Sequence, residues 1–304
     1  MNKLPQATPP KTIPFGPEAF QKSNHTEIRW LGNSGIFLNS RGYCMMVDPV
    51  LEGFDLPLLI DMPIKTDQVP HLDSILITHS DNDHFSIPTL EKLLPLTTAL
   101  HAPKYVAGLV KEKINHEAIG HDIHASFDDG PLKITLTPAD HLWQNESKKY
   151  DRIFKLEDFC GFWIETPDGT LWIPGDSKLL PSHLEMPEPN TILFDFSDNE
   201  WHIGLDNAIK LANTYPNADL ILSHWGTVDA PQMNVFNGNP ADLLHRVDNP
   251  ERIQIVAAGD VFILEKQKRT SHSLMNGKFF FKHALLLYEE YKVPPNKECL
   301  LGLI

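Results

Sequence analysis

Cysteine is scarce in this chain, with three in 304 residues (Cys44, Cys160 and Cys299), and three thiols cannot all pair internally. A disulfide framework is therefore excluded as what organises the fold. Long hydrophobic runs are missing too, since no stretch approaches the roughly 18 to 20 uninterrupted apolar residues of a membrane span. Basic residues are in deficit, 26 Lys and Arg against 40 Asp and Glu for a net charge of −14. That balance repels phosphate backbones and anionic lipid, and no local basic patch overrides it, so nucleic acid is not expected as a partner. There is no low-complexity linker and no short repeat. The first twenty residues lack the apolar core of a secretory signal, and together with the odd cysteine count this predicts a cytoplasmic protein.

What is present is ordinary globular composition, 41% apolar and 22% charged, on a chain long enough to bury a large core. The unusual number is 15 histidines, because His is the side chain most used for metal ligation and for proton transfer near neutral pH.

The proline-rich segment 1–24 reads as an extended N-terminal arm. From Glu27, short apolar runs broken by turn signals (Ile28 to Leu31, Ile36 to Leu38, Tyr43 to Val47) predict an antiparallel meander. Ser74 to Thr78 reads as a buried strand, followed by a helix over Ile87 to Leu96 capped by Ser86, and a second helix over Ala102 to His116. Strands at Ile119 to Ile123 and Leu132 to Leu136 close the first half. The second half repeats the grammar through Gly161 to Thr166, Thr170 to Ile173, Thr191 to Phe194, a helix near Leu205 to Thr214, and Leu220 to Leu222. The strands read as continuous apolar runs, which two sheets packed face to face with helices outside would explain. The expected division is an arm at 1–24, one domain at 25–268 and a C-terminal extension at 269–304 packed on it. Within that extension, Phe279 to Tyr291 is apolar enough for a dimer contact or a closing helix.

The sharpest local signal is Thr78-His79-Ser80-Asp81-Asn82-Asp83-His84, directly after a buried strand. Residues two apart in a loop can converge on one ion, while the adjacent pair Asp83 and His84 splays toward a neighbouring position, so one loop can begin two metal sites. A polar turn capping the next helix is the plainer account of the same residues. Three further segments weigh against it, because His141, Asp176 and His224 are each the first ligand-capable side chain after an apolar strand, and open sheets place their sites at strand ends.

With these motifs the chain resembles the metallo-beta-lactamase superfamily, over roughly Glu27 to Leu264. It is most similar to the branch holding ascorbate-phosphate lactonases and N-acylphosphatidylethanolamine phospholipase D, through Trp30-Leu31-Gly32-Asn33-Ser34-Gly35, Val47-Asp48-Pro49, and Gly161-Phe162-Trp163-Ile164-Glu165 leading to Gly175-Asp176. The resemblance implies an α/β fold, an αββα sandwich of two mixed sheets with helices on both outer faces. It also implies a first metal held by His79, Asp81 and His141, a second by Asp83, His84 and His224, and Asp176 bridging them. The cofactors would be two divalent ions, zinc or manganese, with iron as a further candidate. A hydroxide between the ions would attack a lactone, ester or phosphodiester of a small molecule. Asp83 is expected to share in the chemistry, and His202 resembles a substrate-facing histidine able to protonate a leaving group. Asp48 looks like the carboxylate that orients a ligand histidine.

One position departs from the pattern, which most often has His where this chain has Asp81. Two divalent ions with Asp81, Asp83, Asp176 and one hydroxide sum to a neutral cluster, one unit less positive than with His at 81. A less acidified water and a drift from zinc toward manganese or iron are the expected consequences. A site with one ion, Asp81 standing aside, is the competing expectation. A diiron oxidoreductase on the same ligands and a metal-binding module without turnover stand as rival functions. The run Leu51, Phe54, Leu56, Leu58 and Leu59 forms either an apolar lid or packing against the body, and Cys160 reads as a small buried hydrophobe. His71, His101, His116, His121, His124, His183 and His245 show no convergent spacing and are expected on the surface or in packing.

Overall fold

The computed structural model describes residues 6–266. The extension 269–304, with Phe279 to Tyr291, lies outside the described residues.

Two mixed seven-stranded sheets face each other. The first is built from β1 (Thr26–Gly32), β2 (Gly35–Ser40), β3 (Tyr43–Val47), β4 (Leu72–Leu76), β5 (Thr97–Pro103) and β6 (Ile119–His121). The second holds β7 (Ser126–Asp129), β8 (Leu132–Pro138), β9 (Cys160–Thr166), β10 (Gly169–Ile173), β11 (Thr191–Asp195), β12 (Asp219–Ser223) and β13 (Ile253–Gln254). The last strand, β14 (Val261–Leu264), crosses back and pairs antiparallel with β1. Each sheet joins antiparallel strands (β1-β2-β3 and β7-β8-β9-β10) to parallel ones (β3-β4-β5-β6 and β10-β11-β12-β13), so the two halves of the chain make related sheets.

Alternating side chains explain the uninterrupted apolar runs. In β2 and β3, Ile36, Leu38, Met45 and Val47 enter the core between the sheets, while Phe37, Cys44 and Met46 face outward into a second core under the helices α1 (Ile87–Leu93) and α2 (Lys104–Ile114). In the other sheet, Leu171, Ile173, Leu193 and Ile221 face inward, and Trp172, Ile192, Phe194 and Leu222 pack outward with α3 (Leu205–Thr214) and the short α4 (Ala241–Leu244). Both faces of every central strand are thus apolar, as an αββα sandwich requires.

Three local readings differ from the sequence expectation. The second helix begins at Lys104, because Thr97–Pro103 pairs with β4 as a strand and Pro103 ends it. The first helix tightens into a 3₁₀ turn at Leu94–Leu96, where Pro95 denies the last α-helical hydrogen bond. The strand predicted over Ile119 to Ile123 stops at His121, and Ser126–Asp129 forms a further strand. Ser86 caps α1 as expected, its Oγ accepting from Thr89 N at 3.2 Å.

The segment before β1 is tied down in its described part. Ile13 N donates to Ala258 O (2.9 Å) and Phe15 N to Pro63 O (3.0 Å), and Phe15 and Phe20 bury their rings against Phe37.

Candidate metal centre

The strand ends converge at one edge of the sandwich. Asp48 follows β3, the loop His79 to His84 follows β4, His141 follows β8, Asp176 follows β10, and His224 follows β12. Three of these turns need left-handed backbone, with φ at +44° for Asp48, +59° for His224 and +71° for Gly175. At Gly175 a Cβ would lie 2.5 Å from Cys160 O, so only glycine lets the chain turn there to present Asp176.

Every ligand-capable residue named from the sequence comes into this one place. His79, Asp81 and His141 form one group, with Asp81 Oδ2 at 3.5 Å from His79 Nε2 and 3.3 Å from His141 Nε2. Asp83, His84, Asp176 and His224 form another, with His84 Nε2 at 3.0 Å and His224 Nε2 at 3.3 Å from Asp176 Oδ2, and His224 Nε2 at 3.3 Å from Asp83 Oδ2. Asp176 Oδ2 also lies 4.0 Å from His79 Nε2 and 3.9 Å from His141 Nε2, between the two groups. His202 Nε2 points into the same centre, 3.7 Å from Asp176 Oδ2.

Each imidazole is held from behind through Nδ1. His79 meets Thr78 Oγ1 (3.0 Å), His84 meets Asp48 Oδ2 (2.8 Å), His141 meets Trp201 O (2.8 Å), His202 meets Asp195 Oδ2 (2.8 Å) and His224 meets Val235 O (2.8 Å). Thr78 Oγ1 itself donates to Asp48 Oδ2 at 2.6 Å, which leaves it to accept from His79. With these acceptors taking the Nδ1 proton, each ring aims Nε2 inward, the nitrogen that metal-ligating histidines offer. His79 Nε2 and His224 Nε2 are buried without a hydrogen-bond partner. Buried lone pairs facing carboxylates are costly unless a cation or proton lies between them. The spacings of 3.0 to 3.7 Å within each group suit ligands at about 2.1 Å from a shared ion. The residues therefore fit divalent metal.

Electrostatics of the metal-free groups point the same way. Burial pushes the carboxyls up, but the facing imidazoles more than reverse it, holding Asp83 at about 2 and Asp81 and Asp176 well below the usual range. Burial pulls His84 and His224 down, and Asp176 and Asp83 more than reverse that, leaving both well above an ordinary imidazole. His79 stays low, from burial and the neighbouring His84.

Several residues at the centre were given no role from the sequence. Asn33 Nδ2 donates to Asp83 Oδ2 (3.0 Å), Trp143 and Gln144 donate to Asp81, and Asp195 fixes His202. Asp195, ending strand β11, could have been found by the rule that found Asp176 and His224. In the apolar run after Asp48, Leu51 is buried under α1, Phe54 meets Phe236 edge-on, Leu59 N donates to Thr227 O (2.8 Å), and Leu58 and Leu59 are exposed. Trp225 stacks on Trp30 inside the body, and Cys160 is buried between the sheets with its thiol pushed up by burial. Of the histidines expected on the surface or in packing, His101 and His121 pair at 2.9 Å and stack on Phe127, and His183 is buried against Pro138 O.

Fold and site define an αββα sandwich with a candidate metal centre at one sheet edge. The model of the family described as Beta-lactamase superfamily domain matches residues 44–225, and the chain belongs to that family. A UPF0173 metal-dependent hydrolase of Ruegeria sp. is 24% identical over 156 residues, 51% of this chain and 64% of that protein, so the match spans less than two thirds of the relative. Two solved structures share the fold. One is a metallo hydrolase from the archaeon Ignicoccus hospitalis (TM-score 0.63, 15% identity, 80% of this chain and 100% of the other). The other is a possible metal-dependent hydrolase from Veillonella parvula (TM-score 0.64, 16% identity, 79% and 100%). Among the described residues no helix is long and apolar enough to cross a membrane.

Proposed function

We propose that the chain is a metal-dependent hydrolase that binds two divalent ions, zinc or manganese, and cleaves a lactone or other ester of a small molecule in the cytoplasm. The observation that carries this reading is the set of imidazoles pinned through Nδ1, whose Nε2 atoms surround Asp81, Asp83 and Asp176. His79, Asp81 and His141 would hold one ion and Asp83, His84 and His224 the other, with Asp176 shared. Ions held there supply Lewis acidity and lower the pKa of a water from about 15.7 toward about 7.

The chain's own residues do the remaining work. Asn33 fixes Asp83, which accepts a hydrogen bond from the attacking water and aims it. Asp195 fixes the ring of His202, whose Nε2 lone pair takes a proton from the attacking water and then gives it to the leaving oxygen, returning the ring to its neutral form. Burial of Asp176 and the five imidazoles keeps bulk solvent from competing for these contacts. The net charge of −14 and the carboxylate at 81 disfavour polyanionic substrates, which places a phosphodiester second and nucleic acid last.

A panel of lactones, esters and phosphodiesters, assayed with zinc and with manganese, tests the reading. Lactone or ester turnover is expected. Silence across the panel would favour a binding module, and native iron with oxygen consumption would favour an oxidoreductase.

A further inference from the structure

Asp81 stands where the family pattern most often has histidine, and two consecutive residues hold it. Trp143 Nε1 donates to Asp81 Oδ2 and Gln144 Nε2 donates to Asp81 Oδ1, both at 2.7 Å. The donors sit on the 3₁₀ turn Leu142–Glu146, which starts directly after His141. Gln144 is 1% exposed, its carboxamide nitrogen goes to Asp81, and its Oε1 is buried with no partner. The amide cannot be reversed, because its oxygen would then face a carboxylate. A buried glutamine with an orphan oxygen is poor packing material, so its place is explained by what it does to Asp81.

Two consequences follow from the geometry. Gln144 holds Oδ1, while Oδ2, which accepts from Trp143, is the oxygen nearest His79 Nε2 and His141 Nε2. The carboxylate therefore offers one atom, as an imidazole would. The two donated hydrogen bonds also draw negative charge from it. Zinc favours few, tightly held ligands, whereas manganese favours more oxygen atoms around it.

We propose that Trp143 and Gln144 are positioning residues that make Asp81 behave like the histidine it replaces, keeping the first ion site selective for zinc over manganese. This rests on the reading of Asp81 as a ligand of that ion. It counters the drift toward manganese or iron that the carboxylate alone would cause.

The test is competitive titration of the metal-free full chain with zinc and with manganese against a chromophoric chelator, for the unaltered protein, Gln144→Leu and Trp143→Phe. Each variant is expected to shift the manganese-to-zinc affinity ratio about tenfold toward manganese, with ion stoichiometry retained and metal-free melting unchanged. An unchanged ratio in folded variants overturns the proposal. Trp143 is only half-buried, so Trp143→Phe decides alone if Gln144→Leu does not fold. Asp81→Ala separates the layers: if it leaves the number of bound ions intact, the ligand reading beneath fails, whereas a lost ion alongside unchanged ratios removes only the tether.

Discussion

Asp48 Oδ2 lies 2.8 Å from His84 Nδ1, and the same carboxylate accepts from Thr78 N at 2.8 Å and Thr78 Oγ1 at 2.6 Å. One buried carboxylate thus orients His84 directly and His79 through Thr78 Oγ1. Asp48→Ala is expected to weaken metal binding by about 10- to 100-fold, read by titration, while Asp48→Asn, which keeps an acceptor, should cost less. Equal, wild-type affinity in both would mean the rings are held by other contacts.

Asp176 and His202 lie 3.7 Å apart but carry different expectations. Asp176→Ala should lower bound metal and turnover together, because its oxygen stands between both ligand groups. His202→Ala should keep metal content and cut the rate by about 10²- to 10⁴-fold. Elemental analysis beside kinetics separates the two, and metal loss in His202→Ala would make His202 a ligand.

His183 predicts an acid-sensitive fold. Its Nε2 meets Pro138 O at 2.8 Å and its Nδ1 accepts from Leu180 N at 3.3 Å, so the neutral ring is fully used and burial lowers its pKa. The unfolded chain, with an ordinary imidazole near pH 6.5, binds a proton that the folded chain refuses. Stability is therefore full above that pH and falls as pH drops below it toward the lowered folded value, by up to about 1.4 kcal/mol per unit for this group. His101 and His121, also lowered by burial, act in the same direction. Urea midpoints between pH 7.5 and 5.5 should show a shallower decline in His183→Gln, and parallel declines would remove His183 as a cause.

Two glycine substitutions should have opposite signs. Gly175→Ala places a Cβ 2.5 Å from Cys160 O at φ +71° and should cost about 1 to 3 kcal/mol while disturbing Asp176. Gly108→Ala, inside α2 with nothing within 4 Å of its Cβ, should stabilise by up to about 1 kcal/mol. Thermal melts read both.

Where periodicity was strong the sequence was legible: the helix read near Leu205 to Thr214 is α3 (Leu205–Thr214), because Ile209 and Ala212 repeat on one buried face. Thr97–Pro103 was not, since its polar start gives no strand pattern and the apolar spacing of Val106 and Val110 runs on from it. The return of β14 to β1 joins Val261 to Arg29, a pairing no local signal encodes. Ligand-capable residues could be read because each follows a strand. Trp143 and Gln144, more than sixty positions from the Asp81 they hold, have no such marker.

Anomalous scattering at the zinc and manganese edges, from crystals of the full chain grown with each ion, tests the central claim most directly. The account predicts two ion peaks, one among His79, Asp81 and His141, the other among Asp83, His84 and His224, with Asp176 touching both. Well-ordered side chains with no peak between them in either crystal would contradict it.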